Sequence, residues 1–242
     1  IVESSARVAA LERGQVEVIE DVPWSALGSL EDNPNLDVVS HRNGFWSGFV
    51  MWCDTPPYDD VRVRKALKYC IDREEMLDLV IQGQGNVGND VPVPDWQRYA
   101  LEGPARERDI EKAKELLAEA GYPDGIDLEL HTAEVLPYWV DLATVLKEMT
   151  AEAGINIEIK MTPADSFWGE VWMKKPFSSV YWGARPTPSA LSVMYMSDAD
   201  WNDTHWHRPE WDELMKEASQ TVDEEQRKAL YQEAQRMIVE EG

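Results

Sequence analysis

Cysteine and positive charge are both scarce in this chain. Cys53 and Cys70 are the only thiols among 242 residues, and neither stands in a C-x-x-C pair or a zinc spacing. Both are read as small buried thiols, with a single disulfide between them as the lesser alternative. Lys and Arg number 23 against 46 Asp and Glu, so the formal charge is −23. A field of that sign repels phosphate backbones and anionic bilayers, which argues against nucleic-acid and membrane-surface partners. No apolar run approaches the roughly eighteen residues of a spanning helix, and the first residues, "IVESSARVAALERG", lack the layout of a signal peptide. The strings G-x-S-x-G, H-E-x-x-H, G-x-x-x-x-G-K-[ST] and G-x-G-x-x-G are also missing. A hydrolase built on a carboxylate pair such as Asp198 and Asp200 stays open as a minor alternative, but acids this numerous usually form a solvated surface.

What is present suffices for a sizeable core, since 43% of the residues are hydrophobic. Apolar runs of strand length occur at "QVEVIED", "LDVVSH", "FWSGFVMWC", "IDLELH", "INIEIKM" and "FSSVYW". Helical spacing follows Asp59 or Asp60 and Asp72, each placed as an amino-terminal cap, and begins again from Asp109. It recurs in "YWVDLATVLKEMTAEA", in "SALSVMYM", and in a late pair whose second member follows Asp223. "GQGNVGNDVPVPDW" between Gly83 and Trp96 is a loop by its Gly, Asn and Pro content. Strand, helix and strand in succession give parallel pairing, so the chain is α/β, with a mixed sheet and flanking helices.

The run Pro57 to Glu74, "PYDDVRVRKALKYCIDRE", followed by Gly83 and Gly85, resembles the best-marked block of the family 5 extracellular solute-binding proteins of ABC importers, the dipeptide, oligopeptide and nickel type. "DIEKAKELLAEAGYPDGIDLEL", "AGINIEIKM" and "WDELMKEASQTVDEEQRKALYQEAQRMI" resemble further blocks of that family in the same order, and "AALERGQVEVIEDVP" resembles the segment that closes its first lobe. The resemblance implies a lobe of the periplasmic-binding-protein type II kind. Residues 1–44 would be the end of lobe one and the hinge approach, with a hinge crossing near Phe45 to Trp52, and residues 45–242 lobe two. Most of lobe one, a signal peptide and a return strand would lie outside the sequence, in a periplasmic or cell-surface receptor. No enzyme activity, cofactor or metal site is expected, because the catalytic strings and a metal-ligand spacing are both missing. The partners would be a small-molecule or peptide solute and the membrane subunits of a permease. An oligosaccharide receptor of the same fold is the alternative.

The family places lobe-two contacts after the strand matching "SSVYW". Here that stretch reads "YWGARPTP", and Arg185 stands where peptide-binding relatives commonly carry an acid. A guanidinium fork matches a carboxylate or phosphate, so an anionic solute is expected; the competing reading is that Arg185 pairs with a nearby acid and braces the loop. The candidate contact residues are Trp46, Trp182, Gly183, Arg185, Thr187, Trp201 and Asn202, with Trp182 as a stacking wall. Trp206 is a weaker cleft candidate and Trp52 shares the hinge with Trp46. Trp139, Trp172 and Trp211 fall on expected helices and read as core. "HWH" at His205 to His207 would share a strand face, but no third ligand is placed, so a metal site is not expected. Asn202-Asp203-Thr204 matches a glycosylation acceptor and reads instead as a turn.

Overall fold

A computed structural model describes residues 4–20 and 22–242. The chain divides into two compact units, Ile1–Arg42 and Asn43–Gly242. In the first, helix α1 (Ser4–Glu12) ends where Gly14 takes φ 67° and Gln15 N–H reaches back to the Ala10 carbonyl at 2.8 Å. A short helix α2 (Leu27–Glu31) follows a single tight turn at Trp24–Ala26. The strands expected at "QVEVIED" and "LDVVSH" are not formed by their described residues, which are coil; Asp21 lies outside the described residues. The reason is that a strand needs a paired edge. Val18, 78% exposed, shows that the alternating pattern there meets no apolar partner.

The second unit is built on one four-stranded sheet. Strand β1 (Trp46–Met51) runs antiparallel to β4 (Phe177–Trp182), with Trp46 opposite Trp182 and Met51 opposite Phe177. Strands β2 (Ile126–Thr132) and β3 (Ile155–Met161) are parallel, in a register that sets Ile126, Leu128 and Leu130 beside Ile155, Ile157 and Ile159. The order is β1-β4-β2-β3, and β2 also pairs in parallel with β4. Gly125 and Gly154 open the parallel pair, both at positive φ. A Cβ on Gly125 would come within 2.4 Å of the Gly154 carbonyl oxygen, so only glycine permits this approach.

Helices α3 (Val61–Tyr69), α4 (Arg73–Ile81), α5 (Ile110–Glu119) and α6 (Trp139–Ala151) fill the connections before β3. The caps fall on the acids the sequence marks: Asp60, Asp72 and Asp109 accept from the backbone N–H of Arg62, Glu75 and Lys112. A four-residue α7 (Phe167–Glu170) precedes β4. Then come α8 (Thr187–Tyr195), α9 (Pro209–Gln220) and α10 (Glu224–Glu241), the last capped by Asp223.

Alternate residues of β4 enter different cores. Val180 and Trp182 join Leu191, Trp211, Tyr231 and Ile238, whereas Phe177 joins Leu67, Leu117, Leu130 and Ile157. A third cluster of Trp139, Phe167 and Val171, with Tyr181 packed on it, lies at the end of the sheet where β2 and β4 stop.

At the carboxyl end of α10 the scarce cations collect. Arg64 donates to the Glu241 carbonyl, Lys68 to that of Gly242 at 2.8 Å, Arg106 to that of Val239 at 3.1 Å, and Lys65 pairs with Glu240 at 2.6 Å. The last carbonyls of a helix lack intrahelical donors and carry partial negative charge, so these cations act as an external cap. Beside them Asp90, in the left-handed region at φ 55°, binds Arg73 at 2.5 Å and Arg106 at 3.4 Å, tying the loop before α5 to the helices.

Candidate functional site at the carboxyl edge of the sheet

Three parallel strands end on one side, at Thr132, Met161 and Trp182, and β1 begins there at Trp46. In open α/β sheets this is where ligands bind, because the chain leaves each strand here as a loop whose side chains are free of the sheet. After Trp182 the chain cannot continue as a strand, since Pro186 has no N–H for a ladder and Pro188 suits the first turn of a helix. Arg185 is thereby held between the end of β4 and the start of α8.

The Arg185 guanidinium lies over two indoles, 5.8 Å from the ring centre of Trp182 and 5.9 Å from that of Trp201. No ion pair among the described residues includes it. The expectation that an acid might brace it is therefore not met, and the braces run through the backbone instead. Gln97 Nε2 donates to the Arg185 carbonyl at 2.8 Å, and Thr187 Oγ1 donates to Gln97 Oε1 at 2.8 Å. One amide from the loop before α5 thus fixes both sides of the turn.

Trp172, Trp182 and Trp201 form a triangle, with ring centres 6.2, 6.5 and 5.9 Å apart. Beneath it Asp203, 2% exposed, accepts on Oδ2 from Trp172 Nε1 at 3.0 Å and from Trp182 Nε1 at 3.3 Å. Burial pushes the Asp203 carboxyl up to about 6, and the two indole N–H groups offset only part of that rise. Trp201, 46% exposed, offers the open face of the triangle. Along the same edge Phe45 stacks on Tyr181 at 5.2 Å and Trp168 meets Tyr181 edge-on at 5.3 Å.

The structure gathers Trp182, Gly183, Arg185, Thr187, Trp201 and Asn202 on the segments flanking α8, and pairs Trp46 with Trp182 across the sheet. Their surroundings differ. Gly183 is exposed, with open space where a Cβ would stand. Trp182 is buried and Arg185 lies over its ring, so it offers no free face as a stacking wall. Asn202 is buried and bonded inward, donating to the carbonyls of Met196 and Trp206 and accepting from Thr204. Trp46 is half-buried, and its indole nitrogen is shielded from solvent with no hydrogen-bond partner.

Three expectations need correction. Trp172 lies in the turn after α7 and not on a helix, because α7 stops at Glu170. Trp206 is 4% exposed in the core with Tyr195 and Trp211, since the turn at Asn202 carries it inward. His205 and His207 do not share a strand face: His205 has φ 52°, stacks on Trp52 at 4.1 Å and bonds Asp54 at 3.0 Å. No group of three potential ligands gathers among the described residues. Asp198 and Asp200 are both exposed on the turn after α8. Both cysteines are free.

Asp203, Trp172 and Gln97 are the residues that sequence reasoning missed. Asp203 shows only as one acid of "WNDTHW", and nothing in its spacing announces two indoles that come from 21 and 31 residues away. Two surface hollows, of about 670 and 540 Å³, lie elsewhere, beside β3 and α6 and between Asp54 and Arg208. The aromatic edge is a wall and encloses nothing by itself.

Residues 1–204 match the family described as bacterial extracellular solute-binding proteins, family 5 middle. Di/tripeptide-binding protein 1 of Pseudomonas aeruginosa is 29% identical over 251 residues, covering 99% of this chain and 46% of that protein. The glutathione-binding protein GsiB of Salmonella choleraesuis is 26% identical over 254 residues, covering 100% and 49%. Among solved structures, the periplasmic binding protein DppA of Helicobacter pylori with a bound peptide superposes with a TM-score of 0.87 at 22% identity, over 100% of this chain and 48% of that one. NikA of Staphylococcus aureus, bound to nickel and histidine, gives 0.85 at 24% identity, over 99% and 52%. The chain spans about half the length of these relatives. Its fold is that of a type II periplasmic binding protein, a mixed sheet with flanking helices. By sequence match along most of its length, the chain belongs to the family 5 bacterial extracellular solute-binding proteins.

Proposed function

We propose that residues 45–242 form the second lobe of an extracytoplasmic receptor, and that residues 1–44 are the end of the first lobe and the approach to the hinge. The aromatic edge is one wall of the cleft. A peptide-like or other small solute with an anionic group enters between open lobes, favours the closed state by its greater affinity for it, and is delivered to a membrane permease. Nothing is chemically transformed. The relatives' printed ligands, namely di- and tripeptides, glutathione and a nickel–histidine complex, all carry carboxylates and support this class.

The observation that carries the reading is Arg185. In a chain with twice as many acids as bases, it is a cation at the carboxyl edge of the sheet that forms no ion pair among the described residues and rests on indole faces. A charge-assisted pair with a solute carboxylate is worth about 1.5 to 3 kcal/mol. The α8 amino end, two residues on, adds partial positive charge. In this reading Trp201, Gly183 and the rims of Trp182 and Trp46 touch the solute, while Thr187 and Asn202 shape the loops that present them.

Calorimetric titration of the full-length receptor with glutathione, a dipeptide and nickel–histidine tests the proposal. Saturable heat without turnover is expected for at least one. Arg185→Ala should weaken that affinity ten-fold or more, about 1.4 kcal/mol. An unchanged affinity removes Arg185 from the site.

A further inference from the structure

Asp203 is a carboxylate that the fold buries with no ion pair to it among the described residues. Its Oδ2 receives two indole N–H groups, from Trp172 on the turn after α7 and from Trp182 at the end of β4, and its own N–H closes the turn by donating to the Trp201 carbonyl at 2.9 Å. All three members of the tryptophan triangle are therefore tied to this one residue. The charged and titratable groups around it are His205 on its own turn, Tyr195 on α8, and Arg185 across the Trp182 ring.

We propose that Asp203 is the positioning residue of the solute site: its carboxylate locks Trp172 and Trp182 in their T-shaped contact, and through Trp182 sets one of the two ring faces on which Arg185 rests. This rests on the reading of Arg185 as the solute's anchor. An anionic acceptor on an indole N–H does two things. It fixes the ring's rotation, because a charge-assisted bond is about twice as strong as a neutral one. It also polarises the ring toward its face, where a guanidinium is attracted by the negative quadrupole. Carboxylate, indole and guanidinium thus form a relay in which the buried negative charge holds the exposed positive one without touching it. A direct ion pair would hold Arg185 equally well, but would leave it nothing to offer a solute.

A proton on Asp203 breaks the relay. The neutral acid accepts more weakly, so both indoles loosen together and Arg185 loses its seat. Burial, only partly offset by the indole N–H groups and by His205, pushes the carboxyl up to about 6, within reach of a mildly acidic medium.

The test is nuclear magnetic resonance of the full-length receptor labelled in its tryptophan side chains and arginine Nε, without solute. The Nε1–H resonances of Trp172 and Trp182, assigned by Trp→Phe substitution, should move together with one midpoint near pH 6 and be flat in Asp203→Asn, which keeps the shape and removes the charge. In Trp172→Phe the Trp182 resonance should titrate at higher pH, because a donor that favours the ionised form is gone. The Arg185 Nε–H resonance should follow the same midpoint in the wild type and shift in Asp203→Asn. His205→Gln should retain the transition. Indole resonances that do not titrate, or that still titrate in Asp203→Asn, overturn the proposal, as does an Arg185 resonance indifferent to Asp203. None of these readouts uses a solute. If Arg185→Ala leaves solute affinity unchanged while the relay titrates, the anchor fails and the relay stands.

Discussion

Two aspartates of the second unit are shielded from solvent, Asp203 fully and Asp90 largely, and the fold treats them oppositely. Asp90 sits among cations, bonded to Arg73 and Arg106. Burial pushes its carboxyl up, but Lys68, Arg73 and Arg106 together outweigh burial and hold it below the usual carboxylate range. Asp203 has two indole donors and only a weak charge contribution from His205, and burial wins, raising it to about 6. The lesson is that a buried carboxylate is not in itself a stabilising or destabilising feature; the partner decides the sign. Where the fold needs a joint, it spends its few cations on an acid. Where it needs a charge to act at a distance, it leaves the acid with neutral donors.

Asparagine at each position breaks the comparison with the same small change in shape. Asp90→Asn has the larger effect. Asparagine tolerates the left-handed backbone, so the cost is electrostatic: Arg73 and Arg106 are left beside Lys68 with no buried anion between them. Removing one partner of a buried ionic group costs about 3 to 5 kcal/mol. Urea unfolding at pH 7.5 should show that loss, and a change below about 1 kcal/mol would mean the cluster is solvated.

Asp203→Asn should go the other way. Its folded pKa is raised, so the folded state binds the proton more tightly than the unfolded chain does. The stability tied to protonation is complete below about pH 4 and is lost as pH rises through about 6. At pH 7.5 the charged form is a cost that asparagine removes, on the order of 1 to 3 kcal/mol. The variant should therefore be more stable than wild type at pH 7.5, and the difference should shrink toward pH 4. A destabilised variant at both pH values would show that the indole bonds outweigh burial. An acid that costs stability where it stands is consistent with a residue kept for what it positions.

How much of this was legible in the sequence follows from the range of each interaction. The caps Asp60, Asp72 and Asp223 are read from residues three apart, and β2, α6 and β3 from a single period each, so all were visible. The placement of Arg185 at a strand end was visible too, because the prolines that stop β4 are adjacent to it. Two strands of the first unit were misread, since alternation in "QVEVIED" is a local signal and pairing is not. The Asp203 relay was invisible for the same reason: it joins residues 172, 182 and 203 through side-chain geometry that no local pattern encodes. Arg73, Asp90 and Arg106 likewise meet across a loop that composition marks only as irregular.

A smaller effect sharpens the contrast between charged and neutral joints. Gln97 holds the Arg185 turn through two neutral bonds, to the Arg185 carbonyl and from the Thr187 hydroxyl. Gln97→Ala removes both and leaves a buried Thr187 hydroxyl unpaired, for about 1 to 3 kcal/mol by thermal unfolding. Because the turn carries the proposed anchor, solute affinity should fall with it. Unchanged affinity would mean that the prolines alone hold the turn.

The smallest expected effect on stability belongs to the residue on which the functional reading depends. Arg185 is a half-buried arginine like Arg73 or Arg106 only in name, since those pair with Asp90 and Arg106 also caps α10, while Arg185 touches ring faces. A cation–π contact at a partly exposed site is worth about 0.5 to 1 kcal/mol, so Arg185→Ala should cost no more than that in urea unfolding. The same substitution is expected to weaken solute binding ten-fold or more. A residue whose loss spares the fold and removes the ligand has its partner outside the lobe. If Arg185→Ala instead unfolds the protein at markedly lower urea, its role is structural, and the anion must be sought at another point of the edge.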